Sequence, residues 1–183
     1  MSELSAVPRR VLCLSGSLRR ASSNTALLQV ARSLAPATLE LTVYADLASL
    51  PLFNPDDEIE PLPAPVLALR QAVDGSDALL IACPEYAHGV PGAFKNLLDW
   101  LVGSTEFPGK PVVLINASGR ATMAHAALRE ILTTMSAQIW LDVGIPLPGG
   151  PCDMARISAE ATLTAPLRNI LNTLATELQV LSR

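Results

Sequence analysis

Aromatic residues make up only 4% of this 183-residue chain. A platform that stacks single-stranded bases needs several of them, so that class is excluded. Charge is also sparse: 16% of residues are charged and the net charge is −4. A generic binder of phosphate backbones would carry a strong positive excess, so nucleic acid is not an expected partner. The three cysteines, Cys13, Cys83 and Cys152, lie about 70 residues apart. That spacing is neither a disulfide framework nor a zinc pattern. The two histidines, His88 and His125, form no i,i+4 ligand pair, so no metal is expected. The longest apolar runs, such as residues 78–83, fall far short of the roughly 20 residues of a membrane span. Residues 1–10 carry Pro8, Arg9 and Arg10 with no apolar stretch of the secretory kind. The sequence therefore predicts a reduced, cytoplasmic protein with buried thiols and no membrane contact.

What is present is apolar bulk. Half of the residues are hydrophobic, and the length suits one domain over residues 1–183. Leu, Ala, Val and Ile must build its core. Two periodicities alternate along the chain. Residues 11–14 form a continuous apolar run ending at Gly16, the pattern of a strand covered on both faces. Leu27, Val30, Ala31 and Leu34 follow with helical spacing. Leu39, Leu41 and Val43 alternate with polar residues, as in a half-covered strand. A second buried strand is predicted at 78–83, and further strands at 111–115 and 138–143. Helical stripes run through Phe94, Leu97, Leu98 and Leu101, then Leu128, Ile131, Leu132 and Met135, then Leu167 to Leu181.

Strand–helix alternation implies parallel strands joined by right-handed crossovers. The predicted fold is an α/β three-layer sandwich of the flavodoxin-like kind. It has a five-stranded parallel sheet ordered 2-1-3-4-5 and five helices on its two faces. The proline-rich, acidic segment 45–65 interrupts the pattern and reads as a solvated excursion, with a lid as the other reading. Ligands in such sheets bind beyond the carboxyl ends of the strands at the switch point. The loops after strands 1, 3 and 4 are therefore predicted to converge.

The first of these loops reads Ser15-Gly16-Ser17-Leu18-Arg19-Arg20-Ala21-Ser22-Ser23-Asn24 and opens a helix. A helix N-terminus offers unpaired N–H groups and a positive dipole end. With hydroxyls and a guanidinium around it, such a loop suits a phosphate. Neither GxGxxG nor GxxxxGK[ST] occurs. Cys13 and Arg19 do match C-x5-R, the spacing of a cysteine phosphatase loop. Against that reading, Arg20 stands where a Ser or Thr would help the thiol, no Asp-Pro dipeptide exists, and Cys13 lies inside an apolar strand.

The second loop runs from Pro84 through Glu85-Tyr86-Ala87-His88-Gly89 to Pro91-Gly92, where a helix starts. Here the chain resembles the NADPH-dependent FMN reductase family, which includes quinone, chromate and azo-dye reductases. Gly16-Ser17-Leu18-Arg19 with Ser22 and Asn24 matches that family's GSLR-x-x-S-x-N loop. Pro84-Glu85-Tyr86, Pro91-Gly92 and Lys95-Asn96-x-x-Asp99-Trp100 match its PEYN-x-x-x-PG-x-x-KN-x-x-DW motif. The resemblance implies FMN as cofactor and NADPH or NADH as electron donor. It implies that Ser17, Arg19, Ser22 and Asn24 hold the phosphate, with Ser23 as a further cofactor-binding residue. Pro84, Glu85 and Tyr86 would then lie against the ribityl chain and ring, with Ala87, His88 and Gly89 at the ring edge. Ala87 replaces the family's Asn. His88 is read either as a contact to flavin, nicotinamide or substrate, or as a loop residue without a role.

The third loop, Asn116-Ala117-Ser118-Gly119-Arg120, resembles the family's Ser/Gly turn beside the flavin. Ser118 and Gly119 are the implied flavin contacts. Arg120 is read as either an NADPH phosphate contact or a strand-end cap. The implied activity is hydride transfer from NAD(P)H to FMN and on to a small acceptor, by ping-pong kinetics and without a protein nucleophile. The alternatives are an FMN-binding electron carrier or sensor without NADPH turnover, and the Cys13/Arg19 phosphatase. A homodimer or homotetramer is a further implication of the resemblance, with the Phe94–Leu101 helix contributing to the interface. Lys95 and Asp99, four apart on that helix, are read as an ordinary surface pair worth about 0.3–0.5 kcal/mol.

Overall fold

The computed structural model describes residues 7–120 and 122–181. Strand β1, Arg9–Ser15, is buried along its apolar run and leads to helix α1, Ser23–Leu34. Ser22 caps α1 by accepting the Thr25 N–H on its hydroxyl at 3.2 Å. Strand β2, Leu39–Val43, buries alternate residues, as an edge strand should. Helix α2 spans Ala64–Asp74, strand β3 Ala78–Ala82 and helix α3 Gly92–Val102. Strand β4, Pro111–Asn116, is followed by helix α4, Met123–Thr134, and strand β5, Gln138–Gly144. Helices α5, Met154–Ala159, and α6, Ala161–Val180, close the chain.

All strand pairings are parallel and the order is β2-β1-β3-β4-β5, as the alternating pattern predicts. The sheet separates two cores. Val11, Cys13, Leu80 and Val113 pack with α1, α5 and α6 on one face. Leu12, Leu14, Leu79 and Ile81 pack with α2, α3 and α4 on the other. β3 is buried throughout, which is why it reads as a continuous apolar run.

Two features depart from the sequence expectation. Six α-helices, where five were expected, occur among the described residues. The extra one, α5, has a single buried residue, Ile157, and too short an apolar stripe to announce itself. Segment 45–65 is not a free excursion. Leu47, Leu50 and Leu62 are buried in the second core. The Asn96 side chain accepts the Phe53 N–H at 2.7 Å and donates to the Pro51 carbonyl at 2.8 Å. The Trp100 indole N–H reaches the same carbonyl at 2.8 Å, and Phe53 packs edge-on against its ring. Glu58 pairs with Arg70, which also donates to the Trp100 carbonyl. Asp56, Asp57, Glu60, Pro55 and Pro61 are exposed, so composition reported mainly the segment's outer side. No helix among the described residues is long and apolar enough to cross a membrane.

Candidate functional site

The chain leaves β1 and β3 side by side, with Ser15 paired to Ala82 in register. The Gly16 N–H continues that pairing onto the Ala82 carbonyl at 3.0 Å. A Cβ on Gly16 would run into the Cys83 thiol, so a residue without a side chain is required where the loops part. This is the switch point of the sheet, where the strand order reverses direction.

The first loop is tied down at several points. Ser15 Oγ and Thr25 Oγ1 lie 2.7 Å apart, Ser22 caps α1, and Ser23 Oγ accepts the Cys152 N–H at 3.1 Å. Ser17 Oγ accepts the Arg19 N–H at 3.3 Å and lies 3.5 Å from the Tyr86 hydroxyl, which joins the first loop to the second. Arg19 and Arg20 are exposed. The Asn24 Oδ1 is buried and has no hydrogen-bond partner among the described residues. Cys13 points into the first core, and burial pushes its thiol up to about 12. It therefore carries no thiolate near neutral pH, and its C-x5-R spacing to Arg19 builds no nucleophile.

The second loop contains a tight turn. Tyr86 and Gly89 exchange backbone hydrogen bonds at 3.1 and 3.0 Å. Between them Ala87 and His88 take φ of 49° and 59°. Two successive left-handed residues make a turn of the I′ type, which Asn and Gly adopt most readily. That preference accounts for the Asn of the resembling motif, and Ala87 holds the same shape at some strain. Tyr86 is 48% exposed and presents its ring to solvent. Glu85 turns its carboxylate to α4, where Oε2 accepts the Ala124 N–H at 2.9 Å. Its Oε1 lies 3.1 Å from His88 Nδ1. The Ala124 amide, with a smaller contribution from His88, holds the Glu85 carboxyl below the usual carboxylate range.

The third loop turns on its own side chains. Asn116 Oδ1 accepts the Ser118 N–H at 3.0 Å and Ser118 Oγ accepts the Arg120 N–H at 3.3 Å. The chain after β5 runs alongside, donating from Ile145 to the Asn116 carbonyl and from Leu147 to the Ala117 carbonyl. Between them opens a cleft of about 590 Å³. Ser23 and Asn24 from the first loop form one side, with Ser118, Gly119 and Arg120 from the third and Pro146 to Gly150 completing it. Pro84, Glu85, Tyr86, Ala87, His88 and Gly89 lie outside its walls, as do Ser17, Arg19 and Ser22. The 146–150 wall is missing from the sequence reading. Its signal was Pro146-x-Pro148-Gly149-Gly150, a turn-forming stretch directly after a strand.

The chemistry of these groups suits a polyol phosphate such as FMN. Hydroxyls and guanidinium groups stand at the N-terminus of α1, where an anion is favoured. The Asn24 oxygen, buried and without a partner among the described residues, is an acceptor suited to a hydroxyl donor. Among the described residues, no carboxylate lines the cleft.

Comparison with known proteins agrees with this geometry. Residues 9–148 match the family described as NADPH-dependent FMN reductase. A quinone reductase of Escherichia coli (strain K12) is 36% identical over 137 residues, covering 71% of this chain and 72% of that protein. An NAD(P)H-dependent FMN reductase of Pseudomonas aeruginosa is 39% identical over 139 residues, covering 73% of this chain and 71% of that protein. Among solved structures, the flavoenzyme NAD(P)H:(acceptor) oxidoreductase FerB of Paracoccus denitrificans superposes with a TM-score of 0.72 at 29% identity, covering 93% of this chain and 97% of that one. A flavodoxin from Pseudomonas aeruginosa shares the fold, with a TM-score of 0.56 at 17% identity over 93% of this chain and 99% of that one. A phosphate-suited loop at the switch point and a match across most of the chain lead to one conclusion: the protein belongs to the NADPH-dependent FMN reductase family and is an FMN-dependent NAD(P)H oxidoreductase.

Proposed function

We propose that this chain is a cytoplasmic reductase of quinone-like acceptors, working as a homo-oligomer of a single FMN-binding domain over residues 1–183. The observation that carries the reading is the convergence of the first and third loops on one cleft at the carboxyl end of the sheet. Chromate, azo and other small acceptors are the further substrates of the same site.

Arg19 and the hydroxyls of Ser17, Ser22 and Ser23 hold the phosphate by charge-assisted hydrogen bonds. The dipole of α1 adds about 0.3–1 kcal/mol, so the side chains supply most of the affinity. Asn24 takes a ribityl hydroxyl on its amide oxygen. Tyr86 and the Ala87–Gly89 turn would border the ring, and the Gly119 N–H and the Ser118 hydroxyl would face it where negative charge develops. Arg120 and His88 stand ready for the donor or the acceptor. When bound, FMN supplies the hydride-accepting and hydride-donating chemistry. The protein's part is to orient and to keep one face accessible, and no side chain acts as a nucleophile. Donor and acceptor use that face in turn, which gives ping-pong kinetics.

The test is an absorption spectrum of the purified protein followed by NADPH oxidation with a panel of quinones, chromate and azo dyes. Flavin absorbance and parallel double-reciprocal plots with a quinone support the reading. Bound flavin without NADPH turnover would make the protein a carrier or sensor. The Arg19→Ala variant is expected to purify without flavin colour, and full retention of FMN would remove Arg19 from the phosphate site.

A further inference from the structure

Helix α4 begins without a cap of its own. Thr122 makes no side-chain capping bond and the first turn holds no acidic residue. Its free N–H groups and positive end would ordinarily be met locally. They are met by Glu85, which is 39 residues away in sequence and only 14% exposed. Oε2 takes the Ala124 N–H at 2.9 Å, and the Met123 amide contributes as well. The other carboxylate oxygen takes His88, inside the strained turn. One side chain thus joins the second loop to the element that immediately follows the third.

We propose that Glu85 is a positioning residue, whose carboxylate ties the Tyr86–Gly89 turn to the N-terminus of α4 and so fixes the spacing of the two loops that receive the flavin ring. This rests on the reading of those loops as the FMN site. It departs from the expectation that Glu85 itself lies against the flavin. The carboxylate has both oxygens engaged by protein groups, which leaves the side chain committed to the tie. Glu85 is therefore not a catalytic residue, and its effect passes through the turn.

Glu85→Gln keeps the size and removes the charge. In the apo-protein, amide exchange is expected to accelerate together at Tyr86, Gly89 and Ala124. The FMN dissociation constant, read by flavin fluorescence, is expected to rise on the order of tenfold, comparable to losing an outer-shell partner behind a ligand. A second variant separates tying from plain helix capping. Adding Thr122→Asp to Glu85→Gln gives α4 a local cap. Melting temperature is then expected to recover while the FMN dissociation constant stays raised. Recovery of both, or wild-type affinity in Glu85→Gln, would reduce Glu85 to a helix cap and overturn the proposal. Should the wild-type protein take up no FMN, the site reading fails. The exchange measurement alone then decides: unchanged exchange at Tyr86 and Gly89 refutes the tie, and joint acceleration upholds it.

Discussion

Gly16 and Cys83 meet so closely at the ends of β1 and β3 that the thiol occupies the space a Gly16 side chain would need. Gly16→Ala is therefore expected to cost about 1–3 kcal/mol, as overpacking of a dense site does. Cys83→Ala in the same chain should return much of that loss. Denaturant melts of both single variants and the double variant measure the coupling, and simple additivity would show that the clash is relieved elsewhere.

The turn at Ala87 and His88 predicts a stabilising change. Ala87 sits at a φ of 49°, where a side chain costs roughly 1–2 kcal/mol relative to Gly. Ala87→Gly is expected to raise stability by about 1 kcal/mol, offset in part by added freedom of the unfolded chain. Ala87→Asn should give a smaller gain. A lowered melting temperature in both would mean the turn is held by more than its backbone preference.

The thiols should be inert in the native state. Burial pushes both Cys13 and Cys83 up to about 12, and Cys152 is raised as well. Alkylation near neutral pH is expected to be slow until denaturant is added. Cys13→Ser should leave NADPH oxidation unchanged. Rapid native labelling of Cys13, followed by mass spectrometry, would contradict its placement in the core.

The clamp on segment 45–65 predicts a local effect and a global one. Trp100→Ala removes a fully buried side chain, the Phe53 contact and one of two donors to Pro51, at an expected cost of about 3–5 kcal/mol. Asn96→Ala removes the pin on Phe53 and leaves the core in place, so proteolysis near Leu52, which is 84% exposed, should accelerate while the melt shifts far less. Equal protease resistance would show that the buried leucines alone hold the segment.

Acid stability should carry a trace of Glu85. Its folded-state carboxyl lies below the ordinary value of 4.5, because the charged form accepts the Ala124 amide and faces His88. A depressed carboxyl contributes stability that is fully present above the unfolded value and is lost as pH falls through the folded one. Glu85→Gln should therefore flatten the stability profile below about pH 4.5. An unchanged acid limb in equilibrium melts would count against the hydrogen bonds to α4.

The sequence by itself determined the sheet order, the two-faced burial of β1 and β3, and which loops leave the carboxyl ends of the strands. Those properties are local: apolar periodicity reports which faces are covered, and Gly and Ser clusters mark where strands end. The first loop was legible as a candidate anion site because its Ser, Arg and Asn residues lie in one continuous segment that opens a helix. Only the tertiary structure decided what depends on distant partners. Glu85 serves α4 across 39 residues, and Asn96 and Trp100 hold Pro51 and Phe53 across more than forty. The wall formed by Pro146 to Gly150 joins the site for the same reason. A hydrogen bond between segments far apart in the chain leaves no periodic mark, since its partners are chosen by the packing of the sheet.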